Sequence, residues 1–376
     1  MTIYMDNSAT TMVCPEAVKS MTELMEKHYG NPSSLHSMGL LSEKAVTAAR
    51  KAIADSIGKK ENTVYFTSGG TESDNTAIIG GAVRNSHGRK TIITSEVEHP
   101  AVLQSFKYLE TLGFTPKYVR VKKDGRIDLN HLEELLTDDV VLVSIMQVNN
   151  ETGVIMPIKE ACKMVKDYRR DILFHSDMVQ SYLKIPFEEV DLASISAHKV
   201  HGPKGVGALY VKEGVNINPL LHGGGQQKNM RPGTENVPGI AGFGEAVKVF
   251  NREKSYAKVA EIKESLTKKI LERIDNVTIN GVENTLPYVL NMSFKGVKSE
   301  VLLHSLESAG IMVSSGSACS SNHPSPSHVL TAMGLKKELI DSSLRFSFSA
   351  YNTVEETEIV AEALKKQVGI LRKVMR

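Results

Sequence analysis

The chain has 376 residues, of which 41% are hydrophobic and 23% are charged, and its formal net charge at pH 7 is +2. This composition is typical of a globular protein, and a chain of this length usually forms more than one domain. No long basic or acidic block is present, which argues against direct binding of nucleic acid. No apolar stretch is long enough to span a bilayer, so no membrane partner is expected either.

The N-terminus and the cysteines indicate a cytoplasmic protein. The first six residues contain neither a basic region nor an apolar signal core. Cys14, Cys162 and Cys319 are widely separated, so neither a zinc-binding CxxC pair nor a disulfide framework is expected. Cys162 lies on the apolar stripe of a predicted helix, and we therefore predict that it packs in the core.

The order of the predicted elements indicates an α/β fold. A helix at 15–28, a polar loop at 29–39 and a helix at 41–57 come first. Strands then alternate with helices; the strands are predicted at 63–67, 91–94, 117–121, 140–146, 172–175, 193–196 and 206–211, and the helices near 72–86, 100–112, 129–136 and 158–169. Several of these strands are apolar throughout. We therefore predict a mostly parallel sheet that is covered on both faces.

The pattern changes after the last of these strands. A polar, glycine-rich loop at 222–236 precedes one long helix, predicted at 239–274. Short strands at 288–293, 311–314 and 343–348 then alternate with helices near 299–309, 326–333 and 355–374. We therefore predict a large α/β domain at 15–255 and a smaller α+β domain formed by residues 1–14 and 256–376.

The first two predicted strand ends carry groups that suit a cofactor, and open parallel sheets bind ligands at such ends. A glycine turn at 67–73 (TSGGTES) offers backbone N–H groups to a phosphate, although an ordinary helix cap explains Thr71 as well. His99 follows the next strand and is able to stack on a flat ring or transfer protons. A loop histidine that is merely exposed is the commoner case.

Two later strand ends add an amide and an acid. Asn150 offers both a donor and an acceptor, and a turn asparagine is the alternative interpretation. Asp177 ends a buried strand, where a carboxylate needs a partner. A protonated ring nitrogen would be such a partner, and Gln180 is close enough in sequence to reach the same ring. A helix cap or a salt bridge would also explain Asp177.

Lys199 follows the strand that ends at Ser196, just before a Gly-Pro turn at 202–205. A lysine that is partly shielded from water can lose its proton and attack a carbonyl group, as Schiff-base lysines do. A solvated surface lysine is the commoner case. Together with the predicted phosphate seat, histidine, asparagine and aspartate, however, Lys199 completes the set of groups that pyridoxal 5'-phosphate (PLP) needs.

These residues belong to a series of motifs that resembles the cysteine desulfurases of the NifS/IscS type, which are fold-type I PLP enzymes of the class V aminotransferase group. The motifs run in family order along essentially the whole chain: DNSATT at 6–11, GNPSS at 30–34, TSGGTES at 67–73, EH at 98–99, VNNETG at 148–153, HSDMVQS at 175–181, SAHK at 196–199, GPKG at 202–205, RPGT at 231–234 and SGSAC at 315–319. The resemblance implies a large, mostly parallel seven-stranded sheet domain beside a smaller α+β domain.

The resemblance also implies a role for each matching residue. Lys199 would hold PLP as a Schiff base, and His99 would stack on the ring and carry protons. The phosphate contacts would come from Gly70, Thr71, Ser196 and His198, with Thr234 supplied by the partner subunit of a homodimer. Asn150 and Gln180 would contact the ring oxygen, and Asp177 the ring nitrogen. Arg345, with Asn150 beside it, would bind the carboxylate of the substrate L-cysteine.

Cys319 is the second predicted centre. Its neighbours are small and polar, which favours an exposed loop, and a thiol with a reference pKa of about 8.5 is partly ionised at neutral pH. The resemblance implies that Cys319 takes the sulfur of L-cysteine as a persulfide, while L-alanine is released. The sulfur would then pass to an acceptor in iron–sulfur cluster assembly or in tRNA thiolation. No resident metal is expected, although Cys319 could ligate an iron–sulfur cluster transiently during transfer.

Two departures from the family pattern leave the acceptor open. Asn7 and Ser8 replace the usual His-Ala pair, as in relatives specialised for tRNA thiolation, and Gln226-Gln227 alters a Gly-Gly-Gly-Gln-Glu run. Three alternative functions remain on sequence alone. They are a selenocysteine lyase, another class V aminotransferase, and a sulfur carrier or assembly scaffold in which the cofactor is vestigial.

Overall fold

The computed structural model describes residues 2–282, 285–315 and 326–374, and Cys319 therefore lies outside the described residues. The strands in these ranges are β1 (Ile3–Tyr4), β2 (Val64–Thr67), β3 (Thr91–Ser95), β4 (Thr115–Val119), β5 (Val140–Ser144), β6 (Leu173–Asp177), β7 (Leu192–Ser196), β8 (Gly207–Val211), β9 (Val277–Ile279), β10 (Val289–Phe294), β11 (Ile311–Met312), β12 (Ser314–Ser315) and β13 (Ser343–Ser347).

The α-helices in the same ranges are α1 (Pro15–Glu26), α2 (Ser37–Ser56), α3 (Gly70–Asn75), α4 (Gly81–Asn85), α5 (Pro100–Thr111), α6 (Leu129–Leu135), α7 (Ile158–Tyr168), α8 (Val237–Val249), α9 (Arg252–Arg273), α10 (Ser299–Ser308), α11 (His328–Ala332), α12 (Lys337–Ile340) and α13 (Val354–Val374). A π-helical stretch, Thr76–Gly80, joins α3 and α4 into one continuous helix. Short 3₁₀ turns occupy Glu61–Thr63, Ala197–Lys199 and Gln226–Asn229.

The large sheet has seven strands in the order β2-β8-β7-β6-β5-β3-β4. The strands from β4 to β7 pair in parallel, and β8 runs antiparallel to both of its neighbours. Two successive residues of β5 pack in different hydrophobic clusters, Leu142 in one and Val143 in another. Because successive side chains point to opposite faces, the apolar run of β5 fills both sides of the sheet. The predicted seven-stranded, mostly parallel sheet is confirmed.

A second, antiparallel sheet has the order β12-β13-β10-β9, and α9, α10 and α13 supply residues to the hydrophobic cluster around it. The N-terminal strand joins this part of the molecule, because β1 pairs in parallel with β11 and Asp6 bridges to Ser347. The smaller α+β unit of the predicted fold class is therefore present. The predicted domain boundary at residue 255 stays a prediction.

The single long helix predicted at 239–274 is wrong, because the structure has two helices, α8 and α9. Phe250 adopts an extended backbone after α8, and Asn251 is the N-cap of α9. The Asn251 side-chain oxygen accepts a hydrogen bond from the Lys254 amide at 3.0 Å. This N-cap satisfies a free N–H group of the helix end and makes a break more favourable than a continuous helix.

The described cysteines are not cross-linked. Cys14 and Cys162 are both buried and both free thiols. Burial raises the pKa of the Cys162 thiol to about 11, so this group stays neutral and packs as a small apolar side chain. The prediction that Cys162 lies in the core is confirmed. None of the helices in the described ranges combines the length and the apolar composition that a bilayer crossing requires.

Candidate active site

Lys199 lies in the turn Ala197–Lys199, directly after β7. Its amine donates hydrogen bonds to the backbone carbonyls of Ser8 and Ala9. The N-terminal segment is held there by the Thr11 amide, which donates to the His198 carbonyl at 2.9 Å. The amine of Lys199 therefore lies between the end of the large sheet and the N-terminal segment of the chain. Sequence patterns did not indicate this contact, because it depends on tertiary packing.

A cavity of about 450 Å³, which we call the cup, lies next to Lys199, because the adjacent His198 and the Ala9 that Lys199 contacts both line it. Its lining comes from the N-terminal segment, the glycine turn and the end of β7, and consists of Ala9, Thr10, Ser68, Gly69, Gly70, Thr71, Glu72, Ser196, His198, Lys204 and Gly205. The four phosphate-contact residues predicted from the same subunit all lie in this lining. Thr234, which the resemblance assigns to the partner subunit, is exposed and does not line the cavity.

The cup depends on a close approach of backbones. A Cβ atom added to Gly207 at the start of β8 would lie 2.7 Å from the Cα of Gly69, so only a residue without a side chain fits there. Gly70 starts the continuous helix that runs to Asn85, and its free N–H groups face the cup with partial positive charge. The cup therefore offers backbone donors, a hydroxyl group and the cation of Lys204 to one ligand group.

Asp177 ends β6 and His99 follows β3 at the same edge of the sheet, and β5 lies between these two strands. A ring nitrogen of His99, a carboxylate oxygen of Asp177 and a carboxylate oxygen of Asp74 all lie within 4.8 Å of one another. The Asp177 carboxylate accepts a hydrogen bond from the Val179 amide at 2.9 Å. Burial raises the pKa of Asp177, and the opposing charges of His99 and Lys199 limit that rise.

His99 is fixed by its own helix. It is the N-cap of α5, and its Nδ1 accepts a hydrogen bond from the Ala101 amide at 3.2 Å. Burial lowers the pKa of His99, which favours the neutral ring. Because Nδ1 is an acceptor, the neutral ring carries its proton on Nε2. His99 can therefore present an N–H group to a ligand and pass a proton on.

Gln180 and Asn150 come from the ends of β6 and β5. The Gln180 amide nitrogen donates to the Ser8 carbonyl at 3.0 Å, while its Oε1 is buried and finds no hydrogen-bond partner in the ranges that the structure describes. The Asn150 backbone oxygen accepts a hydrogen bond from Arg345 at 3.1 Å. Gln180 therefore contacts the N-terminal segment, and Asn150 contacts β13.

Arg345 is buried in the middle of β13. One nitrogen of its guanidinium group lies 2.8 Å from a carboxylate oxygen of Asp6, and within the described part of the chain its Nε has no hydrogen-bond partner. An arginine that is buried but only partly satisfied is available for a second anion. The predicted carboxylate-binding residue therefore lies at the rim of the same site, on the side of the smaller sheet.

Lys184 was not predicted to have a role, yet it is completely buried near the site. Its ammonium group lies 5.2 Å from the centre of the Tyr288 ring. Burial, and after it the charge of Lys199, lowers the pKa of Lys184 to about 7. Its position on the turn that follows β6 gave no signal in the sequence, because a single lysine between apolar residues is common on protein surfaces.

Replacing Lys184 with methionine is expected to stabilise the protein by about 1–4 kcal/mol at neutral pH. The folded state binds this proton less well than the unfolded state, so wild-type stability falls as pH decreases from about 10 to about 7 and then levels off. Lys184→Met should abolish that slope. Urea unfolding at about pH 7 and about pH 10 measures the free energy of unfolding of each variant. Lys60→Met, at an exposed position, is the matched control. Lower stability of Lys184→Met at neutral pH would contradict this expectation.

The arrangement fits PLP, the cofactor that the resemblance implies. Two buried oxygen atoms at the site, Ser196 Oγ and Gln180 Oε1, lack hydrogen-bond partners among the described residues. Buried polar atoms are rarely left in this state unless a ligand completes them. The cup suits a phosphate group, Asp177 suits a protonated ring nitrogen, and Lys199 supplies the amine for a Schiff base.

Comparison with known proteins agrees with this geometry. The family model described as Aminotransferase class-V matches residues 3–360. A cysteine desulfurase IscS of Dictyoglomus turgidum is 44% identical over 98% of this chain and 95% of its own length. A cysteine desulfurase IscS of Methanosarcina thermophila is also 44% identical, over 98% of this chain and 93% of its own length.

Solved structures give the same result. A NifS-like protein superposes with a TM-score of 0.92 at 37% identity, over 98% of this chain and all of its own. A NifS-like protein from Rickettsia africae superposes with a TM-score of 0.87 at 35% identity, over 98% and 100% of the two chains. The predicted fold-type I architecture is thereby confirmed. The chain belongs to the class V aminotransferase family and, within it, to the PLP-dependent cysteine desulfurases of the NifS/IscS type.

Proposed function

We propose that this protein removes the sulfur of L-cysteine with the help of PLP, releases L-alanine and carries the sulfur as a persulfide on Cys319. The observation that carries this proposal is the convergence of Lys199, Asp177 and His99 beside the cup. The charge of Lys199 acts on both of the other side chains. The relatives named cysteine desulfurase support L-cysteine as the substrate.

Each side chain of the site would have a separate role, which follows from its position. PLP, when bound, withdraws electrons from the α-carbon of an amino acid and so makes its α-proton acidic. Lys199 would anchor the cofactor and then hold the α-proton on its amine. His99 would carry a proton on Nε2, and Asp177 would keep the ring nitrogen protonated. Arg345 would bind the α-carboxylate and orient the substrate.

Sulfur transfer would be the task of Cys319. Its thiolate attacks the sulfur of the substrate, a new S–S bond forms, and the C–S bond breaks. The bonding electron pair stays on carbon, which takes up protons to give L-alanine. Because that electron pair stays on carbon, the terminal sulfur of the persulfide is sulfane sulfur, which a thiol of the acceptor can attack. The proposal for Cys319 rests on the sequence motif and on the named relatives, since this residue lies outside the described ranges.

We also propose that the protein is a homodimer in which the two sites share residues. Leu35 and Tyr29, in the loop between α1 and α2, have exposed fractions of 105% and 72%. Large apolar side chains that project this far from the surface are typical of an interface with a second copy. Thr234 is exposed as well and does not line the cup of its own chain. In the dimer it would reach the cup of the partner subunit.

The acceptor and the location are proposals of the same kind. An iron–sulfur scaffold protein or a tRNA-thiolating protein would receive the sulfur, because a persulfide needs a thiol acceptor in contact. A cytoplasmic location fits this chemistry, since Cys14 and Cys162 are free thiols and a persulfide survives best where thiols stay reduced. Radiolabelled sulfur traced from L-cysteine into proteins and tRNA of a cell extract would identify the acceptor.

Incubation with L-cysteine tests the function directly. We expect one L-alanine per sulfur released, and a persulfide on the wild-type protein that Cys319→Ala lacks. Cys162→Ala is the matched control and should keep the persulfide, because the Cys162 thiol is buried and neutral. A persulfide on Cys319→Ala would contradict the role of Cys319. Release of a keto acid, or activity confined to selenocysteine, would indicate one of the alternative PLP enzymes.

A further inference from the structure

Asp74, on α3, is a buried carboxyl group that none of the roles above uses. The residue is only 1% exposed, and its Oδ1 has no hydrogen-bond partner among the described residues. A ligand atom of Asp74 lies within 4.8 Å of those of Asp177 and His99. Two carboxyl groups are therefore buried side by side, and one of them, Asp177, is the residue that would hold the ring nitrogen of PLP.

The nearest histidine does not neutralise this pair. His175 is completely buried, and its two ring nitrogens face the hydroxyl groups of Ser144 at 2.8 Å and of Ser194 at 3.0 Å. Its Nε2 is 3.6 Å from Asp74 Oδ1. Burial lowers the pKa of His175 to about 3, so the ring is neutral and offers no positive charge.

The surroundings of the two carboxyl groups differ in one decisive respect. Asp177 accepts a hydrogen bond from a backbone amide, and the charge of His99, when its ring is protonated, and the charge of Lys199 favour the ionised form of Asp177. Asp74 lies beside the neutral ring of His175 and the carboxyl groups of Asp177 and Glu98, and burial first, and then the charge of Asp177, raise its pKa well above the ordinary value. Glu98 also faces the pair, and burial raises its pKa to about 8, so it too favours the protonated form.

We propose that Asp74 is a positioning residue that carries a proton at neutral pH, so that Asp177 holds the single negative charge of this buried pair. Two buried carboxylates at this separation cannot both stay ionised. Asp74 therefore acts as the neutral neighbour that excludes water and leaves the charge on the side chain that faces the ring. The inference deepens the proposed function and depends on it for the role of Asp177.

Infrared spectroscopy of the cofactor-free protein tests the protonation state. The C=O stretch of a protonated carboxyl group is separate from that of a carboxylate. At neutral pH we expect Asp74→Asn to lose one protonated-carboxyl band. Asp177→Asn should keep that band, because burial, which remains in this variant, is the largest cause of the raised pKa of Asp74. The exposed Asp55→Asn is the matched control and should lose only carboxylate absorption.

The proposal would be overturned if Asp74→Asn kept the protonated-carboxyl band. It would also be overturned if Asp177→Asn lost that band. A second measurement uses the loaded protein and follows the visible absorption of the Lys199 Schiff base against pH. Because Asp74→Asn replaces one neutral group with another of the same shape, we expect its titration midpoint to move by less than about half a pH unit. An ionised Asp74 would instead give a shift of about one unit or more.

These readouts separate the inference from the function on which it builds. The infrared bands need neither cofactor nor substrate, so a failure to form L-alanine from L-cysteine would overturn the proposed function and leave the band pattern as it is. Normal L-alanine formation together with the opposite band pattern would remove only the role of Asp74. Circular dichroism of Asp74→Asn shows whether the variant folds, and the isosteric asparagine leaves the buried volume unchanged.

Discussion

Lys199→Ala is expected to abolish the visible absorption of the cofactor Schiff base and to lower L-alanine formation at least about 10³-fold. The amine of Lys199 is held by the carbonyls of Ser8 and Ala9 at the edge of the cup, so it is positioned for one carbonyl partner. Alanine has neither a nucleophile nor a base to replace it. The cup itself stays intact in this variant, and weaker, non-covalent cofactor binding should therefore persist.

Absorption spectra of the purified variant and L-alanine assays measure both effects. Lys60→Ala is the matched control, because Lys60 is exposed and pairs only with Glu213 on the surface among the described residues. It should keep the visible band and the activity of the wild-type protein. A Lys199→Ala protein with an unchanged visible band would show that another amine holds the cofactor, and the assignment of Lys199 would then be wrong.

The part of the site that sequence reasoning found follows from one property of parallel sheets. Asp177, His99 and Lys199 each follow a separate strand, and the carboxyl ends of parallel strands meet at one edge. Short patterns were therefore sufficient to predict that these residues lie together. The apolar runs that form β5 and β7 were sufficient for the sheet itself, because strands buried on both faces leave a continuous hydrophobic signal.

The residues that were missed depend on contacts that no local pattern contains. The carbonyls of Ser8 and Ala9 reach Lys199 because the N-terminal segment crosses the end of the sheet. Asp74 and Lys184 are charged residue types in buried positions, and composition alone predicts exposure for such residues. The break before α9 was missed for a different reason, since a single asparagine cap interrupts an otherwise continuous helical pattern.

Arg345→Lys is expected to raise the KM for L-cysteine about 10- to 100-fold and to leave the visible cofactor band unchanged. The guanidinium group is already oriented by Asp6 at 2.8 Å and by the Asn150 carbonyl at 3.1 Å, and its remaining N–H groups are available to the substrate carboxylate. Lysine keeps the charge but cannot make the two parallel hydrogen bonds of an arginine fork. The loss of one charge-assisted hydrogen bond, about 1.5–3 kcal/mol, corresponds to that change in KM.

Steady-state kinetics at varied L-cysteine concentration distinguish substrate binding from a structural role of Arg345. A binding role predicts a large rise in KM with a smaller change in kcat. Asp6→Asn is the matched control: it removes the salt bridge but keeps the arginine, so it should lower stability, with less effect on KM than Arg345→Lys. If Arg345→Lys lowered kcat with an unaltered KM, or weakened cofactor binding, the arginine would not be the carboxylate-binding residue. Its burial in β13 would then serve only to join the smaller sheet to the N-terminal segment.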